Sequence, residues 1–194
     1  MICTTLNKIR ENEPCLDGWR KLLAGLNKTG PDDELLPLVT ILKINGLNDA
    51  LWALRATDCD RESRLLAVAY ARQVQHLMTD ARSVAALDVA ERFANGKATR
   101  KELKKSHTDA LAAVWDAREA AADDAGDDWI LAAGDTWIAK WDAARAAARA
   151  TEDDATWAAA DDAGSAARAA AAAWIVVRHN MLQKQIELFK EIFK

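Results

Sequence analysis

Four pairs of adjacent aspartates offer the widest choice of chemistry in this sequence. Neighbouring carboxylates can bind a metal ion or share a proton, but a helical di-metal site also needs Glu-x-x-His segments, and the chain has none. Each pair lies just before or within a predicted helix start, where aspartate caps exposed N–H groups. We interpret the pairs as caps without a metal, and we predict that together they form an acidic face that binds a partner. The pairs are Asp123-Asp124, Asp127-Asp128, Asp153-Asp154 and Asp161-Asp162.

A row of tryptophan and arginine side chains has the spacing of one helix face. Trp137, Trp141, Arg145 and Arg149 follow one another at intervals of four residues. One interpretation is that the indoles fill the core of a stack with alanine walls, since each buries roughly 200 Å². The other is a ligand-binding row, because tryptophan and arginine together are typical of interface hot spots and of pockets that stack nucleobases.

Catalytic patterns are missing from the rest of the sequence. His76, His107 and His179 lack metal-ligand spacing, and we expect each at the surface or partly buried. The chain has no Gly-rich phosphate loop, no nucleophile elbow and no HExxH segment. We therefore predict a protein that is not an enzyme and needs no cofactor, and a hydrolase is the least favoured function.

Charge is distributed unevenly along the chain. The net charge is −4, but residues 109–162 hold four Lys/Arg against 14 Asp/Glu, a local charge of −10. The segments on either side, 1–108 and 163–194, each carry +3. Such an acidic block repels nucleic acid and attracts basic protein surfaces. We therefore expect a basic protein partner and no direct contact with nucleic acid.

One short basic run precedes the acidic block. A nucleic-acid footprint would be wider and interleaved with aromatic residues, so we interpret the run as the solvated start of a helix, with an anionic partner as the alternative. Thr99 and Glu102 have the spacing of a capping box, which predicts that this helix begins there. The run consists of Lys97, Arg100, Lys101, Lys104 and Lys105.

Alanine dominates the second half of the sequence and predicts helices. Residues 110–173 contain 29 alanines, and alanine is the best helix former. We predict an all-α fold of stacked short helices and helical hairpins, solenoid-like or an irregular bundle, with a long C-terminal helix. Residues 1–96 form an N-terminal helical part and residues 97–194 the Ala/Trp-rich stack, within one continuous domain. An Asp-Asp-Ala-Gly segment recurs after 38 residues, which leaves a helical-repeat architecture open.

The C-terminal helix carries an apolar stripe of coiled-coil type. Ile175, Leu182, Ile186, Phe189 and Phe193 are separated by seven, four, three and four residues. The stripe could pack against the N-terminal helices or pair with a second copy of the chain. We favour the first arrangement, and a homodimer through residues 175–193 is the alternative.

The three cysteines and the hydropathy pattern indicate in which cellular compartment the protein is expected. Cys3, Cys15 and Cys59 are odd in number and have no CxxC spacing, which is typical of reduced thiols in a cytoplasm. The longest apolar run has about nine residues, against the roughly 20 that span a bilayer, and the first residues do not form a signal peptide. We expect a cytoplasmic protein that does not contact a membrane.

Three segments resemble a known family. The segments Leu47–Arg55, Ala71–Met78 and Ala85–Ala94, followed by Trp/Asp/Ala/Arg-rich sequence, resemble small helical proteins of tailed-phage and prophage genomes. These proteins are similar to immunity proteins of bacterial polymorphic toxin systems. The resemblance covers roughly residues 35–175. It implies an all-α protein that protects a bacterial host cell, or a phage within it, by binding.

Two functional hypotheses follow. The first is a non-catalytic, phage- or prophage-encoded protein that neutralises a bacterial toxin or defence effector through its acidic face. The alternative is a protein that sequesters a small nucleotide signal with the row of Trp137, Trp141, Arg145 and Arg149. The first requires a basic protein partner, and the second requires an anionic small molecule.

Overall fold

The structure is a computed structural model that describes residues 1–125, 134–152, 155, 159 and 175–194. Within these residues the chain is built from helices, and the only β-structure is an antiparallel pair of two-residue strands, Cys3–Thr4 (β1) and Leu36–Pro37 (β2). The prediction of an all-α fold is confirmed. None of the described helices is both long enough and apolar enough to cross a membrane.

The described helices are numbered in chain order. Single 3₁₀ turns follow the fourth helix at Ala53–Ala56 and the fifth at Gln75–Leu77. The helices are α1 (Leu6–Glu11), α2 (Leu16–Gly25), α3 (Leu38–Asn45), α4 (Leu47–Trp52), α5 (Asp60–Gln73), α6 (Ala81–Ala94), α7 (Arg100–Ala125), α8 (Gly134–Ala150) and α9 (Ile175–Ile192).

Short helices with local caps make up the N-terminal part. The side chain of Thr5 caps α1 by accepting a hydrogen bond from the N–H of Lys8 at 3.1 Å. Gly46 separates α3 from α4 with a φ of +97°, a conformation that side chains other than glycine rarely adopt. The sharp turn at Gly46 lets α3 and α4 pack against each other.

Alanine-lined packing joins the central helices. α7 packs against both α6 and α8, which also contact each other, and α5 contacts both α6 and α8. On α8, Ala143, Ala146 and Ala147 have no exposed surface. The distance between packed helices depends on the side chains at the contact, so these alanines allow close approach.

The C-terminal helix lies on α5 of the same chain. The rings of Phe189 and Phe193 are fully buried and stack with centroids 4.7 Å apart. The hydroxyl of Tyr70 on α5 donates a hydrogen bond to the carbonyl of Gln185 at 3.2 Å. Part of the apolar stripe is therefore used inside the chain, and a homodimer through residues 175–193 stays a prediction.

One hydrophobic cluster extends through the described residues. It includes Leu6 of α1, Leu66 of α5, Leu103 of α7 and Phe193, which follows α9. It therefore draws residues from both 1–96 and 97–194. The recurring Asp-Asp-Ala-Gly segments extend outside the described residues, so the helical repeat stays a prediction.

Candidate binding surface on helix α7

The predicted acidic residues are only partly within the described residues. Asp123 and Asp124 lie in the last turn of α7, which ends at Ala125. The described aspartates of the predicted acidic face therefore lie on α7. The six others, Asp127, Asp128, Asp153, Asp154, Asp161 and Asp162, lie outside the described residues.

The helix-cap interpretation is wrong for Asp123 and Asp124. The sequence placed them just before a helix N-terminus, but α7 continues through both and leaves them at its C-terminal end. Alanine on both sides sustains the helix through the aspartates. The C-terminal end of a helix dipole is negative, so carboxylates there are unfavourable. Residues that oppose local stability are candidates for a functional role.

At the N-terminal end of α7, the side-chain charges also oppose the helix dipole. Arg100 and Lys101 lie in its first turn, where the dipole favours negative charge, and Glu102 is the only acidic residue there. Asp116 and Glu119, in the second half, are exposed. Helix α7 thus runs from a basic start to an acidic end, against its own dipole.

Two large apolar side chains are exposed on α7. Leu111 is 40% exposed and Trp115, one turn later, is 58% exposed. The other side of α7 is buried in the core through Leu103, Ala110 and Ala113. The sequence patterns described above did not indicate this pair. The pair could have been predicted from helical periodicity. Positions 103, 106, 110 and 113 share the buried face of α7, so positions 111 and 115 lie off that face.

An ion-pair network fixes the surface beside Trp115. Arg82 of α6 donates to Asp80 at 2.6 Å and to Asp116 of α7 at 2.5 Å. The hydrogen bond from Arg82 is the main reason that the pKa of Asp80 lies below its usual value. The two carboxylates also raise the pKa of Arg82. We define the α7 surface as the described side chains of Leu111, Trp115, Asp116 and Glu119.

The predicted tryptophan and arginine row lies on α8. Trp141 is half-buried, and the guanidinium of Arg145 lies 5.3 Å from its ring centroid. Arg149 donates a hydrogen bond to Glu152 at 2.6 Å. Trp137 belongs to the first turn of α8, but its side chain is outside the described set. Trp141 and Arg145 thus already contact each other without a ligand.

Two basic side chains contact the last carbonyl groups of α8. Buried Arg64 donates to the carbonyl of Ala150 at 3.0 Å, and its guanidinium lies 5.3 Å from the ring centroid of Phe93. Nδ1 of His107 lies 3.1 Å from the carbonyl oxygen of Ala148. The last carbonyls of a helix lack donors within the helix and attract positive charge. These two side chains therefore stabilise the C-terminal end of α8, a role that the sequence did not indicate.

The predictions for the histidines can be compared with the described residues. His76 is exposed and His107 is half-buried, as predicted, and the side chain of His179 lies outside the described set. Within the described part of the chain, no three His, Cys, Asp or Glu side chains are grouped to hold a metal ion. The chain matches no protein-family model, no curated protein and no solved structure.

Proposed function

We propose that the protein is a non-catalytic inhibitor that binds a bacterial toxin or defence effector through the α7 surface. The observation that carries the proposal is the exposed pair Leu111 and Trp115 beside the carboxylates of Asp116 and Glu119. An exposed tryptophan next to leucine is costly to leave in water, and tryptophan is enriched among interface hot spots. Burial of this pair against a partner would remove that cost.

The charge of the surrounding sequence favours a basic partner. Residues 109–162 carry a net charge of −10, and α7 contributes acidic residues against its own dipole. Complementary charge raises the association rate and selects against wrong partners more than it adds affinity. We therefore expect an association rate that falls as salt is added, since ions screen exposed charges beyond about 8–10 Å.

The resemblance of the sequence to phage and prophage immunity-type proteins supports the class of partner. The resemblance implies protection by binding, which needs no catalytic residue. A binding role also accounts for the exposed tryptophan on α7. A phage or prophage gene would use the same binding to block a host defence effector in the cytoplasm.

A small nucleotide is the weaker candidate ligand. Its predicted row uses Trp141 and Arg145, which stack on each other, and Arg149, which is paired with Glu152. A ligand between them would first have to break these contacts. The arrangement therefore favours a protein partner over a nucleotide.

Affinity capture with matched variants tests the proposal. The tagged protein is incubated with bacterial lysate, the captured protein is identified by mass spectrometry, and its activity is then measured with and without the purified inhibitor. Trp115→Ala should weaken binding by at least about 2 kcal/mol, roughly 30-fold in Kd. Leu182→Ala is the matched control, because it removes an exposed apolar side chain from α9, and it should bind like wild type.

Two outcomes would overturn the proposal. One is a captured protein whose activity is unaffected by the inhibitor. The other is equal binding by wild type and Trp115→Ala. Calorimetry against cyclic and linear nucleotides distinguishes the alternative, because the inhibitor proposal predicts no heat of binding in that titration.

A further inference from the structure

A cavity of about 240 Å³ lies between α2, α3 and α4. All of its lining residues fall between Ile9 and Ala53, so it is distinct from the α7 surface. Its volume is below the roughly 300–1,000 Å³ of sites for drug-sized molecules. A ligand for this cavity would therefore be small.

The walls of the cavity are mainly apolar and aromatic. Trp19 of α2 and Trp52 of α4 line it, together with Leu22 and Ile41. The electron-rich face of an indole attracts cations, and desolvation inside a cavity strengthens this attraction. The walls thus suit an apolar ligand body and tolerate a positive charge next to it.

Arginine side chains hold both indoles in place. The guanidinium of Arg10 lies 5.9 Å from the ring centroid of Trp19, and that of Arg55 lies 5.0 Å from the ring centroid of Trp52. Neither arginine is among the lining residues. Rings that are ordered before binding lose less entropy when a ligand arrives.

One carboxylate supplies the charge of the cavity. Asp49 lines it, and its Oδ2 accepts a hydrogen bond from Nδ2 of Asn45 at 2.7 Å. Asn45 Nδ2 also donates to the carbonyl of Gly18 at 2.8 Å, which fixes the orientation of the amide. A Cβ at Gly18 would lie 2.8 Å from Oδ2 of Asp49 and 3.1 Å from Sγ of Cys15. The glycine therefore makes room for the carboxylate and the thiol at one wall.

The carboxylate of Asp49 has a neutral partner but no cationic one. Among the described residues, no lysine, arginine or histidine nitrogen lies within 4.0 Å of it. A half-buried carboxylate in apolar surroundings is stabilised by a cation. An anionic ligand, including a phosphate, would be repelled from the same place.

We propose that this cavity binds a small organic cation, a primary ammonium group on an aromatic or branched apolar body. The ammonium donates a hydrogen bond to the carboxylate of Asp49, and the body lies between the indoles of Trp19 and Trp52. This site does not depend on the inhibitor function of the α7 surface.

Thiol protection tests the proposal without a variant. Cys15 is exposed and lines the cavity, so its alkylation by iodoacetamide reports occupancy, while Cys3 serves as an internal control away from the cavity lining. Peptide mass spectrometry measures both rates. The probe 2-phenylethylamine, a cation at neutral pH, should slow alkylation of Cys15 alone. The anion 3-phenylpropionate, of similar size, should leave both rates unchanged.

Calorimetry with a matched pair of variants tests the anchor. Asp49→Asn keeps an oxygen acceptor for Asn45 and removes the charge, so affinity for 2-phenylethylamine should fall at least about tenfold, the loss typical of a charge-assisted hydrogen bond. Asp58→Asn removes a carboxylate that is 99% exposed and should bind like wild type. No protection of Cys15 by 2-phenylethylamine, equal protection by the anion, or wild-type affinity in a folded Asp49→Asn protein would each overturn the proposal.

Discussion

Arg64, like Asp142, is a charged side chain that is buried in the described core. It is 4% exposed, and it donates to the carbonyl of Ala150 at the end of α8. A buried charge is stable only when it is paired or hydrogen-bonded. The helix end and the arginine therefore stabilise each other, because the carbonyls need a donor and the guanidinium needs acceptors.

Arg64→Met should destabilise the protein by about 2 kcal/mol, because a buried carbonyl loses a charged donor while most of the side-chain volume is kept. Urea unfolding followed by circular dichroism measures the difference. Arg61→Met is the matched control on α5, since Arg61 is exposed and its pair with Glu62 is at the surface. The control should cost less than about 1 kcal/mol. Equal losses in the two variants would contradict the role given to Arg64.

Helix α7 begins where the sequence predicts. The hydroxyl of Thr99 accepts from the N–H of Glu102 at 3.2 Å, and the carboxylate of Glu102 accepts from the N–H of Thr99 at 2.7 Å. The prediction of a capping box is confirmed. The backbone hydrogen bond from Thr99, aided by Arg92 at 3.0 Å, lowers the pKa of Glu102 below its usual value of 4.5.

This pKa shift makes the stability of the α7 start depend on pH. A carboxyl group whose pKa is lower in the folded state contributes stability above its unfolded pKa, and the contribution is lost as pH falls through the folded pKa. Glu102→Gln, which mimics the protonated group, should therefore be less stable than wild type at pH 7. The difference should shrink as the pH falls below 4.5 and the carboxyl group becomes protonated, measured by urea titration at each pH. A difference that persists at low pH would mean that the charge is not responsible.

In the whole molecule, the C-terminal helix α9 packs against α5, which lies near the middle of the sequence. Phe189 and Phe193 belong to the same cluster as residues of α5, and Tyr70 donates to Gln185. Burial raises the pKa of the Tyr70 hydroxyl, so it remains a donor in this bond. Packing of α9 on α5 therefore contributes to the stability of the fold.

Phe189→Ala should cost about 3–5 kcal/mol, since it removes a fully buried ring and leaves a cavity. A loss of this size is comparable to the whole stability of many domains, so thermal unfolding should show a much lower midpoint. Leu182→Ala, on the exposed side of the same helix at 43% exposure, should change stability by less than about 0.5 kcal/mol. A small loss for Phe189→Ala would show that α9 is not part of the cooperative fold.

Patterns that depend on nearest neighbours could be read from the sequence. Alanine content predicted the helices, and the spacing of Thr99 and Glu102 predicted the start of α7. Both follow from backbone hydrogen bonding within one turn, which needs no knowledge of the rest of the chain.

Features that join distant segments could not be predicted. Arg64 and Ala150 are 86 residues apart, and neither residue type specifies the other. The end of α7 was misjudged because alanine continues the helix through Asp123 and Asp124, although aspartate pairs are typical of helix starts. The cavity at Asp49 depends on how α2, α3 and α4 pack, which the periodicity of each helix alone does not define.

Site-specific photo-crosslinking tests whether the α7 surface binds a basic effector in the cell. A benzophenone amino acid replaces Trp115 on the α7 surface or, as the control, Leu182 on α9, and both proteins are irradiated in bacterial cells. We expect a covalent adduct with one basic effector from position 115, none from position 182, and loss of the adduct when Asp116 and Glu119 are changed to lysine. No adduct at position 115, or the same adducts at both positions, would contradict it.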